Sequence, residues 1–216
     1  MNKAYDLHNS TNNLLNWFLD DRSKCLEIDG NHRPFEIARQ ISLTYNYLDG
    51  VDINDSYKRY SIKTNKYISS IYLENEDKHF LNLIDSLVKY INNNLNDYIS
   101  CFLLHGSLAT QDYCKGWSDV DTFMVLKQST IKSPKSLVEL RLKCLNLRQK
   151  FYQICPLQHH GIMAYTDYDL RNYLSSFLPL EALEDSLDLF SKQKIQFNKI
   201  PRDESDKNPG LGRIKY

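Results

Sequence analysis

The sequence predicts an α/β (α+β) domain: a short mixed β-sheet backed by helices, preceded by a helical N-terminal segment. Three observations carry that expectation. Apolar residues recur at helical spacing through much of the first ninety-odd positions. Two compact apolar runs, 98–104 and 120–126, then follow with a polar connection between them, and helical periodicity resumes at Ser133-Pro134. Composition agrees, because 216 residues with 42% apolar and 25% charged side chains and only 7 Gly and 6 Pro describe a globular chain. That length holds one full domain, or one domain plus a small appendage, and buries a core without staples.

Residues 12–20 carry Leu14, Leu15, Phe18 and Leu19 on one side, which predicts a packing helix. A second helix is expected over 34–49, with Phe35, Ile37, Ala38, Ile41 and Leu48 as its apolar positions, Pro34 in its first turn and Gly50 just past its end. Residues 51–75 show no clean period, and 67–73 read as a short strand or an extended connector. Over 76–96 the positions Phe80, Ile84, Leu87, Val88, Ile91 and Leu95 make an amphipathic helix, weakened at its Asn-rich end.

The runs 98–104 and 120–126 are then two buried strands, the first closed by His105-Gly106-Ser107 and the second opened by Ser118-Asp119-Val120-Asp121. The helix opening at Ser133-Pro134 shows one stripe of Val138, Leu142 and Leu145 and another of Leu140, Cys144, Leu147 and Phe151, so burial over a broad face is expected. Residues 157–165 read as a third strand. Thr166 and Asp169 are spaced for a capping box on a short helix reaching about 175. A last helix is expected from Pro179, with Leu180, Leu183, Leu187 and Phe190 as its stripe. From 192 onward Pro201, Pro209, Gly210 and Gly212 read as a loose tail, or as the point where a longer chain has been cut. These limits divide the chain into a helical N-terminal segment, 1–75, a core, 76–191, and a basic tail, 192–216.

Charge narrows the function classes. Lys plus Arg equals Asp plus Glu at 27 each, so net charge argues for neither a nucleic-acid nor a membrane partner. The five cysteines, at 25, 101, 114, 144 and 155, are odd in number and form no CxxC pair, which predicts a reducing, cytoplasmic compartment rather than a disulfide framework. No apolar run approaches the roughly 20 residues that span a bilayer, and the start MNKAYDLHNS lacks a secretory core, so no membrane partner is expected.

The chemistry concentrates in Leu104-His105-Gly106-Ser107-Leu108-Ala109 and, thirteen residues after the glycine, Asp119 and Asp121. Strand side chains alternate faces, so the two aspartates project from one patch. Two acids that close repel unless a cation neutralises them. Mg²⁺ is suited to this, because it takes oxygen ligands, keeps several waters, and is held by one or two carboxylates plus nucleotide phosphates. Gly106 leaves room for a phosphate to approach the backbone. The N–H groups and hydroxyl around Ser107 are donors, more so with a helix starting at Leu108.

HGSLA followed by SDVD resembles the Gly-Ser…Asp-x-Asp signature of the DNA polymerase β-type nucleotidyltransferase superfamily, in its smaller bacterial forms. The runs 156–162 and 177–181 are similar to bacterial proteins carrying this domain, and the resemblance covers about residues 76–190. It implies a nucleotidyltransferase-like core. Gly106 and Ser107 would hold a nucleoside triphosphate, Asp119 and Asp121 would be catalytic and bind Mg²⁺, and the acceptor would be a hydroxyl on a small molecule, a protein or an RNA end. Two departures stand out. The Arg-Gly that usually follows the Gly-Ser-x-Ala stretch is replaced by Thr110 and Gln111, for which Lys115 is a substitute on the phosphate side. The third carboxylate of the family, on a following strand, is missing from 157–165, whose polar members are Gln158, His159 and His160.

Imidazole is a poor Mg²⁺ ligand but a good general base, so one histidine is expected to take the acceptor proton. By strand alternation at most one of His159 and His160 joins the aspartates. The other expectation is a catalytically impaired nucleotide-binding or regulatory module of the same fold. His105 is expected to make a strand-end hydrogen bond or to contact a phosphate. Cys155, His159 and His160 have zinc-ligand chemistry but lack a fourth ligand and a paired cysteine. Residues 127–150 hold seven Lys or Arg against the one acid Glu139, either a landing surface for a phosphate-rich partner or a solvated helix face. If that basic helix carried the function, the chain would be the interaction partner of a toxin pair. The tail from 192 adds seven basic residues against three acids, and the 15 tyrosines form no RNA-binding signature.

Overall fold

The computed structural model describes residues 32–50, 58–62, 64–66, 78–110, 112–114, 116–173, 178–190 and 195–199. The expected helix over 12–20, the segment 67–73, Gln111, Lys115 and residues 200–216 lie outside the described residues. Helix α1 (His32–Asp49) is followed by strands β1 (Lys58–Ile62) and β2 (Asn65–Lys66) and helix α2 (Lys78–Asn94). Strand β3 (Ile99–His105), the single turn α3 (Ser107–Thr110) and strand β4 (Asp121–Leu126) come next. The chain continues through α4 (Gln128–Ile131), α5 (Pro134–Ile154), β5 (Met163–Tyr165), α6 (Asp167–Arg171), a 3₁₀ turn (Leu180–Leu183), β6 (Leu187–Asp188) and β7 (Ile195–Lys199).

A mixed five-stranded sheet runs in the order β2-β6-β3-β4-β5. Strands β3 and β4 are antiparallel and place His105 opposite Asp121, whereas β4 and β5 are parallel. A parallel pair needs a crossover, and α4 with α5 supplies it. One face of the sheet, including Phe102, Leu104 and Met124, packs on the helices through Ile84, Leu87, Ile91, Leu140, Leu147 and Phe151. Of the stripe predicted from spacing over 76–96, Ile84, Leu87, Ile91 and Leu95 are fully buried and Val88 packs partly buried beside them, each fully buried apolar side chain being worth about 1.5–3 kcal/mol relative to exposure. On α5 the stripe Leu140, Leu147, Phe151 and Ile154 is buried while Leu142 and Leu145 are exposed, so burial is narrower than the expected broad face.

The opposite face of the sheet carries Cys101, Leu103, Phe123 and Val125. It is covered by a ribbon of β1 paired antiparallel with β7, from Lys58 opposite Lys199 to Ile62 opposite Ile195. Phe197 of that ribbon is fully buried and meets Tyr173 edge-on with ring centroids 4.9 Å apart. Residues 195–199 are therefore a core strand, not part of a loose tail, and the ribbon joins chain from both sides of the 76–191 limits. The physical reason is alternation, with Ile195 and Phe197 pointing one way and polar residues between and beyond them.

Local signals predicted from side-chain chemistry hold at two helix starts. The Ser133 hydroxyl accepts from the Ser136 N–H with Pro134 in the first turn of α5, and Thr166 with Asp169 forms the capping box of α6. The helix expected from Pro179 is instead a 3₁₀ turn that buries Leu180 and Leu183 before Asp185, at φ 65°, breaks the spiral. Leu187 then enters β6. The third strand is confined to Met163–Tyr165. Helix α1 is tied down by Asp49, which accepts from Lys132 Nζ and from Arg171, both at 2.9 Å. Among the described residues no helix is long and apolar enough to cross a membrane.

Candidate functional site

Gly106 closes β3 with φ 69°, a left-handed conformation that L side chains rarely adopt. A Cβ placed there would collide with Asp121 Oδ2. The bare face expected to admit a phosphate thus has the Asp121 carboxylate lying against it. Ser107 begins α3, and the Gly106 carbonyl accepts from Ala109 N at 3.0 Å and Thr110 N at 3.1 Å. The earliest N–H groups of such a turn have no acceptor within it.

Asp121 opens β4 opposite His105, so the two side chains share one face of the sheet. Burial raises the Asp121 pKa, the Asp119 charge raises it further, and His160 and His159 partly offset both. Asp119 is therefore close enough to oppose the ionisation of Asp121. The Asp119 side chain is 16% exposed. Its Oδ2 is shielded from solvent and has no hydrogen-bond partner. His159 Nδ1 lies 3.4 Å from that oxygen and His160 Nε2 3.9 Å, and the two rings pack with centroids 4.0 Å apart.

Both histidines thus face Asp119, which corrects the expectation that at most one does. Alternation fails because 158–162 is not strand. Gln158, 4% exposed, takes the place a strand residue would have beside Val120. Its Oε1 accepts from Val120 N at 2.7 Å, and its Nε2 donates to Val120 O at 3.1 Å and to His160 O at 2.9 Å. One carboxamide satisfies both backbone groups of Val120 and holds the His159–His160 loop over the neighbouring aspartate. In the sequence Gln158 stands out only as a polar member of the expected strand, and that polarity ahead of the histidines was the available signal.

His105 makes the expected strand-end bond, to the Thr122 backbone, while burial pulls its pKa down. It is 6% exposed and its Nε2 has no hydrogen-bond partner. Tyr113, which no motif singles out, lies near Cys155 and Asp119, and burial pushes its pKa up to about 12. Among the described residues the group suited to a metal ion is Asp119, His159 and His160, whose ligand atoms all lie within 4.8 Å of one another. Cys155 is buried and outside that group, so the Cys155, His159 and His160 combination is replaced by one with a carboxylate.

Six of the seven basic side chains of 127–150 make contacts within the chain. Lys127 donates to Asn96 O, Lys132 pairs with Asp49, and Lys135 lies 3.9 Å from Glu139. Lys143, Arg148 and Lys150 sit over the rings of Tyr98, Tyr152 and Tyr90. No protein-family model, no curated protein and no solved structure matches this chain.

Proposed function

We propose that the chain is a Mg²⁺-dependent nucleotidyltransferase, moving a nucleoside monophosphate from a nucleoside triphosphate to a hydroxyl acceptor. The observation that supports it most is the Asp121 carboxylate seated against Gly106 with Asp119 close enough to raise its pKa. A buried Asp119 oxygen without a hydrogen-bond partner beside a second acid fits a cation. Asp119 and Asp121 would hold Mg²⁺, which when bound supplies charge neutralisation for the triphosphate and the departing pyrophosphate. Gly106 and Ser107 would lie on the phosphate side.

In this reading the acceptor oxygen bonds to the α-phosphorus as the bond to the β-phosphate oxygen breaks, and pyrophosphate leaves. His159 is the better proton acceptor of the two histidines. Its Nδ1 lies 3.4 Å from Asp119 Oδ2, its other ring nitrogen points away from that contact toward the acceptor in this reading, and its side chain is 71% exposed. A second reading is favoured by one observation: β5, Met163-Ala164-Tyr165, carries no carboxylate. That reading is a regulatory module that binds nucleotide without transferring it. Incubation of the full chain with labelled triphosphates and Mg²⁺ separates the two. Pyrophosphate release, with label on the chain itself, RNA or a small hydroxyl compound and loss in Asp119→Asn and Asp121→Asn, supports transfer. Binding without release supports the module, and a chain that neither binds nor releases overturns both readings.

A further inference from the structure

We propose that Asp119 Oδ2, His159 Nδ1 and His160 Nε2 form a three-ligand site for a first-row transition dication of the zinc class, selective against Mg²⁺. The chemistry of the donor set differs from that of the paired aspartates. Two imidazole nitrogens and one carboxylate oxygen are the borderline ligands Zn²⁺ takes in three-ligand sites that keep an open position. Mg²⁺ prefers oxygen throughout.

The distances agree with such a site. Ligands about 2.0–2.1 Å from a tetrahedral ion stand about 3.3 Å from one another. The carboxylate oxygen lies 3.4 Å from one imidazole nitrogen and 3.9 Å from the other, and all three ligand atoms lie within 4.8 Å of one another, so side-chain rotations close them on an ion. The loop is pre-positioned, because Gln158 anchors the His160 carbonyl to the same strand start that presents Asp119. Asp119 Oδ2 is buried with no hydrogen-bond partner, and an ion there would satisfy it. Both rings are partly open to solvent, 71% exposed for His159 and 42% for His160, which gives the ion a path in and leaves room for water or a ligand at the remaining position.

The site uses the His159 ring nitrogen that lies against Asp119. Where the transfer reading holds, bound zinc therefore competes with that arrangement and would inhibit the reaction. The binding claim itself does not rest on that reading.

The test is a calorimetric titration of the metal-free full chain with Zn²⁺, with no nucleotide present, so its failure is distinguishable from failure of nucleotidyl transfer. The expected result is one strong equivalent per chain that persists under a large excess of Mg²⁺. Affinity should drop about tenfold or more in His159→Ala, in His160→Ala and in Asp119→Asn, and change little in Asp121→Asn. The histidine variants alter exposed side chains and should fold. Visible absorption of bound Co²⁺ gives a second readout of the same ligands. Absence of a strong equivalent overturns the proposal. So does one that survives loss of both histidines, as a thiol site would, one displaced by Mg²⁺, or an equal loss in Asp121→Asn.

Discussion

The Gln158 side chain pairs with Val120 through both backbone groups, accepting from its N–H at 2.7 Å and donating to its carbonyl at 3.1 Å. Removing the carboxamide leaves both groups buried and unpaired, at about 1–3 kcal/mol each. Gln158→Ala is therefore expected to lower stability by about 2–6 kcal/mol, read by denaturant unfolding. Gln158→Leu keeps most of the volume and should show a similar loss. Equal stability of wild type and both variants would remove Gln158 as the pin of the histidine loop.

Gly106 offers a second handle on the same strand start. Alanine there meets the left-handed φ of 69° and drives its Cβ into the Asp121 carboxylate. The backbone conformation alone costs about 1–2 kcal/mol. Relief comes by turning Asp121 away, so Gly106→Ala should weaken Mg²⁺-dependent triphosphate binding by more than its stability loss implies. Equilibrium binding of a labelled triphosphate checks it. Unchanged affinity would mean that the seating of Asp121 against the turn is irrelevant to the ligand.

Asp121 predicts a pH dependence of opposite sense to an ordinary paired carboxylate. Its folded-state pKa is raised by burial and then by Asp119. Between the unfolded value, near 3.9, and that raised value the folded protein binds more protons, so stability falls as pH rises. Above the window the cost is fully present. Asp121→Asn should therefore raise the melting temperature of the metal-free protein at neutral pH, by about 2–4 °C for each kcal/mol relieved, and the difference should shrink as pH falls toward 4. Melting curves across that range, with chelator present, make the measurement. A variant less stable than wild type at pH 7 would show that the carboxylate makes net favourable contacts in the fold.

Much of this site was legible in the sequence because local rules govern it. Residues in register on two antiparallel strands bring Asp121 beside the Gly106 turn, and Ser133 and Thr166 are helix caps whose partners lie three residues away. The position of His160 was not legible. It depends on a glutamine reaching across to Val120, 38 residues earlier in the chain, a side-chain contact that no periodicity reports. The same holds for β7, where a five-residue strand lies beside Pro and Gly residues typical of a tail, and its partner β1 sits in a stretch without a clean period. Helical spacing at Leu180, Leu183 and Leu187 was coincidence, since a left-handed Asp185 and a strand also satisfy burial there.

The ribbon strand gives the sharpest stability test. Phe197 is fully buried between the sheet and Tyr173, with its ring 6.0 Å from Phe123 and 4.9 Å from Tyr173. Truncating such a ring costs about 3–5 kcal/mol through lost transfer energy and the cavity left behind. Phe197→Ala should lower stability by that amount, whereas the same change in a solvated tail would cost nothing measurable. Asn198 and Lys199 belong to the same strand, so deleting the chain from residue 195 onward should be at least as damaging, because it exposes the Cys101, Leu103, Phe123 and Val125 face that the ribbon covers. Unfolding curves for the point variant and the truncation decide whether residues 195–199 are part of the domain. A truncation as stable as the full chain would detach the ribbon from the core and return this segment to the tail.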